Sequence, residues 1–354
     1  MPLDKLPQLH SLPGPVLITG HSGFKGTWLT LLLEKMGIEV VGFSLSPKKD
    51  SLFDRASRAG AIGEAFADIR DYQSLDTHIK AVKPSAVIHM AAQPLVLESY
   101  RVPKETFEVN VMGTANVLNS AFACDSVQAV VVVTTDKVYR NNNSGDAFIE
   151  SDALEGKDPY SASKVGAEAA VAAWQQIQRT SGGPKVVAVR AGNVIGGGDW
   201  GDSRLLPDLI RSFSSGQKMS VRNPASTRPW QHVLDPLSGY ISALEAILNE
   251  KQISSVNFGP DTKSISVSEV VKVAIKTWGR ETNIDLDSAG PQNVIEAERL
   301  DLNADYSKST LGWGPCWTQQ EAVISTVQWW DKVLNQQMGP MDACLDDIKK
   351  ILDF

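Results

Sequence analysis

An α/β protein built on a doubly wound parallel sheet is predicted by three features of this 354-residue chain. Short apolar runs alternate with helical stretches over residues 14–192. The first run feeds a glycine-rich loop, Gly20-His-Ser-Gly23-Phe-Lys-Gly26, which opens the first helix. Beyond Arg190 the alternation gives way to segments rich in glycine, proline and aromatic residues, which points to a smaller second domain.

Taken in order, Pro15-Val-Leu-Ile-Thr19 reads as a buried parallel strand closed by Gly20. A helix from Gly23 to Met36 is stopped by Gly37. Glu39 to Ser44 is the second strand, and a third precedes Ala67-Asp68-Ile69. The runs Ala86 to Met90, Ala129 to Val133 and Lys185 to Arg190 supply further strands. Helices are expected between them at Tyr72–Val82, Lys104–Cys124 and Tyr160–Arg179. Gly196-Gly-Gly-Asp-Trp200 reads as a flexible segment, Val233–Leu248 as a helix, and Val256-Asn-Phe258 as a strand returning to the sheet. Val267–Trp278 and Gln319–Leu334 read as helices, with Trp329 and Trp330 in packing roles. The expected division is a dinucleotide-binding domain over 14–192, with 229–260 returning to it. Residues 193–228 and 261–354 would form a substrate-binding lid.

Hydrophobic content of 42%, charged content of 21% and a net charge of −7 describe a globular chain without the basic footprint of a nucleic-acid binder. No apolar stretch reaches the roughly 18 residues a membrane span needs. Cys124, Cys316 and Cys344 form no CxxC, and the five His residues show no ligand spacing, so no metal is expected. Met1 to Pro13 lacks the apolar core of a signal peptide. With reduced thiols, this gives a cytoplasmic expectation.

Two stretches carry the chemistry. Tyr160-Ser-Ala-Ser-Lys164 sets a phenol and an ammonium one helical turn apart on one face. A nearby cation favours the phenolate, so Tyr160 is expected to act as a base below its ordinary pKa. Thr135-Asp136-Lys137 follows the apolar run Val130–Val133, at a strand's carboxyl end, where open α/β sheets hold their ligands. Glycines at 20, 23 and 26 permit a tight turn and close approach of a pyrophosphate to the helix N-terminus. Lys25 is either beside that phosphate or a solvated helix residue. Ser46 stands roughly where an acid would hold the adenosine ribose, with Lys48 and Lys49 just beyond it. This leaves NADP open beside NAD. Asp68 is placed to reach the adenine amino group.

The glycine spacing, Ala91-Ala92 after the fourth strand, Asn110 in the next helix and the Tyr160/Lys164 pair resemble the extended short-chain dehydrogenase/reductase family, whose fold is Rossmann-type. Longer stretches are Gly20-His-Ser-Gly-Phe-Lys-Gly-Thr-Trp28, Ala91-Ala-Gln-Pro-Leu-Val96, Thr135-Asp-Lys-Val-Tyr139, Asp158-Pro-Tyr-Ser161, Arg190-Ala-Gly-Asn-Val-Ile-Gly-Gly-Gly-Asp-Trp200 and Arg228-Pro-Trp-Gln-His-Val233. They resemble that family's nucleotide-sugar 4,6-dehydratases acting on CDP-glucose. The chain departs from that pattern at Leu97, where a basic residue is common, and at Tyr139-Arg140-Asn-Asn-Asn143.

The resemblance implies an NAD-binding enzyme with a nucleotide-sugar substrate. Gly20, Ser22, Gly23, Phe24, Lys25, Gly26, Ser46, Asp68, Ile69, Ala91 and Ala92 would face the cofactor. Tyr160 would be the base at the sugar 4-hydroxyl, Thr135 its hydrogen-bonding neighbour, and Lys164 the holder of the nicotinamide ribose. Asp136 and Lys137 would serve the elimination, with their shares of the protons undecided. Asn193, Arg204 and Arg228 would meet the substrate's phosphates, and Arg222 would either reach the nucleotide base or shape a turn. Related enzymes associate through two long helices, so a homodimer is expected through Lys104–Cys124 and Tyr160–Arg179. A 4-epimerase or ketoreductase on the same fold, and a non-catalytic dinucleotide sensor, are the alternatives.

Overall fold

The structure, a computed structural model, describes residues 7–141, 145–221, 223–286 and 299–353. Its principal elements are β1 Val16–Thr19, α1 Phe24–Lys35, β2 Val40–Ser44, β3 Gly63–Phe66, α2 Tyr72–Val82, β4 Ala86–His89, α3 Pro103–Phe107, α4 Gly113–Phe122 and β5 Ala129–Val133. They continue with α5 Pro159–Ser181, β6 Lys185–Ala191, α6 Leu205–Ser215, α7 Leu234–Leu248, β7 Ser255–Phe258, α8 Val267–Trp278, α9 Gln319–Leu334 and α10 Pro340–Leu352. The strands form one seven-stranded sheet in the order β7-β6-β5-β4-β1-β2-β3, with every neighbouring pair parallel. The strand order reverses at β1, so the crevice for a ligand opens at the carboxyl ends of β1 and β4.

Every residue of β1, β2, β4 and β5 is buried, which is why these strands read as unbroken apolar runs and not as alternating ones. Leu17, Val87, Val130 and Val132 face Val117, Leu118 and Val171 across one side of the sheet. Val16, Ile18, Ile88, Val131 and Val189 face the other side, in a core that continues into Leu237, Ile241, Trp313, Trp329 and Trp330. The C-terminal segments thus share a core with the sheet. Each fully buried Val or Leu contributes roughly 1.5–3 kcal/mol. Side-chain caps set several helix starts: Asp158 with Ser161 on α5, Ser266 with Glu269 on α8, and Thr318 with Glu321 on α9. Among the described residues no helix is long and apolar enough to cross a membrane.

Two expectations are corrected. The single helix over 104–124 is interrupted by a π-helical turn, Glu108–Met112, between α3 and α4. Asn110 lies in that turn, where its side chain bonds the carbonyl of Gln93 at 3.1 Å and the hydroxyl of Ser163 at 2.8 Å. The wider turn gives room for a polar side chain that ties α5 to the loop after β4, a local cost that helices accept at functional sites. The Gly196–Gly198 run, expected as a loose segment, is buried. A Cβ on Gly197 would sit 2.0 Å from the Trp329 ring, and one on Gly198 2.4 Å from Leu52. Trp28 donates its indole N–H to the Gly197 carbonyl at 3.0 Å. The glycines are there so that bulky side chains can close on the backbone.

Candidate active site

The loop between β1 and α1 is shaped to admit a dinucleotide. Gly20 has φ +78°, and a Cβ there would lie 2.9 Å from the Ala91 backbone. A Cβ on Gly26 would lie 2.1 Å from the Gly20 carbonyl oxygen. Only glycine allows the loop to press this tightly onto the chain after β4. No side chain caps α1 at Gly23, so the first amides of the helix stay available to a diphosphate. These residues fit NAD. The Ser22 hydroxyl is spent on the Leu45 carbonyl at 2.9 Å, and Phe24 packs on the core. Both buttress the loop from behind.

On the side of the second strand, β2 terminates on Ser44, as expected. Ser46 is exposed, while the Ser44 hydroxyl is buried 2.8 Å from that of Ser22. Asp68 lies beyond β3, and Arg70 grips its carboxylate at 2.7 and 3.0 Å. That hydrogen bond holds the Asp68 carboxyl below the usual range. The Ile69 side chain is buried against Gly113, so this residue has only main chain to offer a cofactor.

The chain leaving β5 carries three candidate reacting groups, and α5 sets two more beside them. Thr135 donates to Asp136 Oδ1 at 3.0 Å and accepts the Lys137 amide at 3.4 Å. Lys137 Nζ stands 4.0 Å from the same carboxylate oxygen. Asp136 Oδ2 is buried with no hydrogen-bond partner, facing Gly192, where a Cβ would come within 3.2 Å. An unpartnered buried carboxylate oxygen invites a substrate hydroxyl. Tyr160 and Lys164 follow on α5, both buried. Lys164 donates to the Val133 carbonyl at 3.1 Å.

The phenol differs from its sequence expectation. Burial pushes the Tyr160 pKa up to about 12, against a hydrogen bond with Thr135 and the charge of Arg204. Burial also pulls Lys164 down to about 8, with the Glu168 carboxylate opposing it. In the protein alone, loss of water outweighs the cation that was expected to ionise the phenol.

Behind this site lies a buried charge network that the sequence reading missed. Arg190 on β6 donates through Nε and Nη2 to both oxygens of Glu168, at 2.8 and 2.9 Å. Thr134 donates to the same carboxylate at 2.6 Å. The remaining guanidinium nitrogen of Arg190 reaches Tyr139 at 2.8 Å, and Tyr139 donates to Asn257 on β7 at 2.6 Å. The available signal was spacing: Tyr160, Lys164 and Glu168 succeed one another every four residues along one face of α5.

Lys25 also departs from the solvated reading. Its amine donates to the hydroxyl of buried Tyr240 on α7 at 3.3 Å. Burial lowers its pKa to about 7, helped by Arg204 and Lys164, while Asp136 opposes. Those neighbours put the amine on the catalytic side of the loop. Arg204 is held by Asp199, its Nη1 lying 2.9 Å from each carboxylate oxygen. Asn193 Oδ1 is buried without a partner, and Arg228 is buried on a short strand, donating to its neighbour's carbonyl at 2.8 Å. Arg222 lies outside the described residues. His232 is fully buried between Trp28 and Trp317, 3.5 Å from Asp347, in a packing role.

Comparison with known proteins agrees with this arrangement. A sequence profile described as the NAD dependent epimerase/dehydratase family matches residues 16–259. The CDP-glucose 4,6-dehydratase of Salmonella typhimurium (strain LT2) is 41% identical over 323 residues, covering 89% of each chain. Among solved structures, the UDP-glucose 4-epimerase of Thermus thermophilus in complex with NAD superposes with a TM-score of 0.78 at 24% identity, over 90% of this chain and 99% of that one. The dTDP-glucose 4,6-dehydratase of Bacillus anthracis in complex with NAD gives 0.76 at 22% identity, over 91% and 98%.

Proposed function

The chain belongs to the NAD dependent epimerase/dehydratase family, and from that premise we propose that it is a sugar-nucleotide 4,6-dehydratase converting CDP-glucose to CDP-4-keto-6-deoxyglucose. One observation carries the reading. The Asp136–Lys137 pair, 4.0 Å apart, stands next to Tyr160 at the end of β5. An epimerase or ketoreductase needs proton handling only at the sugar 4-hydroxyl, whereas this pair adds an acid and a base for neighbouring carbons. The choice of CDP-glucose rests on the 41% identical relative.

The residues divide the work between them. Tyr160, which must first give up its own phenolic proton because burial holds its pKa at about 12, would take the proton of the 4-hydroxyl, which Thr135 hydrogen-bonds, as hydride leaves C4. NAD, when bound, would supply hydride acceptance at C4 and hydride donation at C6. The resulting C4 ketone acidifies C5–H, and Lys137 removes that proton. Asp136 protonates the departing 6-hydroxyl, so water leaves across C5 and C6. C5 would regain a proton from the Lys137 side, so that the sequence involves no net oxidation. Lys164 holds the nicotinamide ribose, while Asn193, Arg204 and Arg228 meet the diphosphate, to which arginine's planar fork is suited. The segments that follow β6 would act as the lid that keeps water from the unsaturated intermediate.

The test is turnover of CDP-glucose with NAD in heavy water, followed by proton NMR. One deuterium at C5 and transfer of the C4 hydrogen to C6 within the same molecule are expected. A product inverted or reduced at C4, with C5 unlabelled, would overturn the dehydratase reading. Tight NAD binding without any turnover would instead favour a sensor.

We also propose a homodimer. Tyr100, Phe107 and Met112 are exposed on the helical segments packed against α5, at 49%, 42% and 57%, and Ile177 on α5 itself at 42%. Light scattering should give twice the 38.4 kDa chain mass, and Phe107→Glu combined with Met112→Glu should return it to the monomer value.

A further inference from the structure

In a dinucleotide fold, a carboxylate at the end of the second strand binds the adenosine ribose hydroxyls and repels a 2′-phosphate. Here that position is Ser44, the last residue of β2, whose main chain is fixed by the Ala67 amide at 2.8 Å. Its hydroxyl, the Ser22 hydroxyl and the Leu45 carbonyl oxygen form a closed set at 2.8–2.9 Å, with no charge.

Four described carboxylates on the neighbouring segments are engaged elsewhere. Glu64 on β3 pairs with buried His21 at 2.9 Å and accepts the Gly60 amide at 2.7 Å. Asp50 lies 3.7 Å from Arg55, and Asp54 accepts the Asp50 amide at 2.8 Å. Asp68 is held by Arg70. The cations are placed differently. Lys48 and Lys49, four and five residues past the end of β2, are exposed, and among the described residues neither ammonium makes an ion pair.

We infer that this chain accepts NADP as well as NAD, with Ser44 lifting the exclusion of a 2′-phosphate and Lys48 and Lys49 supplying its counter-charge. The inference rests on the dinucleotide-binding reading of the site. Its logic is charge balance at one ribose: neutral hydroxyls tolerate either cofactor, and two unpaired ammonium groups attract the additional phosphate without any need to release an internal partner.

Isothermal titration of the full chain, freed of bound nucleotide, with NAD and with NADP reads this directly. Dissociation constants within tenfold of each other are expected, and NADP weaker by more than tenfold overturns the inference. Binding of neither overturns the dinucleotide reading along with it. Ser44→Asp should weaken NADP at least tenfold and leave NAD no weaker. Because that site is buried and the variant risks misfolding, Lys48→Ala with Lys49→Ala, both exposed, is the second arm. It should weaken NADP severalfold, more so at low salt, and leave NAD unchanged. An equal effect on both cofactors overturns the assignment.

Discussion

Tyr160→Phe is expected to lower the turnover of CDP-glucose by about 10²–10⁴-fold, the range for loss of a positioned proton-transfer group, with binding of the nucleotide sugar nearly unchanged. The ring packs where it did, and only the hydroxyl is lost. The same variant isolates the titration of the phenol. With the Tyr160 pKa raised to about 12 by burial, the difference in absorbance at 295 nm between wild type and variant should show no phenolate at pH values near 10, where an ordinary tyrosine is half ionised. A clear phenolate signal there would mean that Lys164 outweighs burial even without cofactor. A variant that turns over normally would remove Tyr160 from the mechanism.

The second large effect is expected behind the site. Glu168→Gln leaves the Arg190 guanidinium buried without its carboxylate, and breaking a pair of this kind costs about 3–5 kcal/mol. Urea denaturation should read that loss. Replacing both Glu168 and Arg190 by methionine should recover much of it, since no buried charge is then left unpaired. Activity separates a positioning role from a structural one. Glu168 is the group that favours the charged form of Lys164, whose pKa is about 8. Without Glu168 that pKa falls further, so the ammonium is lost at lower pH and the alkaline decline in rate begins earlier. In the double variant stability returns but the shifted pH profile stays. An unshifted profile would confine Glu168 to holding α5 and β6 together.

Much of this was legible before folding because it is local. A four-residue spacing on a helix places Tyr160 and Lys164 on one face wherever the helix lies. The apolar run before Thr135 announces a buried strand, and its carboxyl end is where the crevice opens. Gly20 and Gly26 are readable because positive φ and close backbone approach exclude other residues. The end of the second strand at Ser44 was also legible, since the apolar run stops there. The bonds of β2 with β1 and β3 stop the strand at Ser44.

The features that emerged only on folding have a common cause. Glu168 and Arg190 are 22 residues apart, Lys25 and Tyr240 are 215 apart, and Tyr139 and Asn257 are 118 apart. No pattern within one element predicts such partners, because the register between elements chooses them. The Gly196–Gly198 run looked flexible by composition and is closely packed by Trp28, Trp329 and Leu52 in the fold. Likewise the phenol's acidity was read from its nearest cation, and burial reversed the sign. Local pattern along the chain thus specified the fold class and which side chains fall together at the carboxyl end of the sheet. The surroundings that set each group's charge came only with packing, because removal of water is a property of the whole assembly and not of any segment.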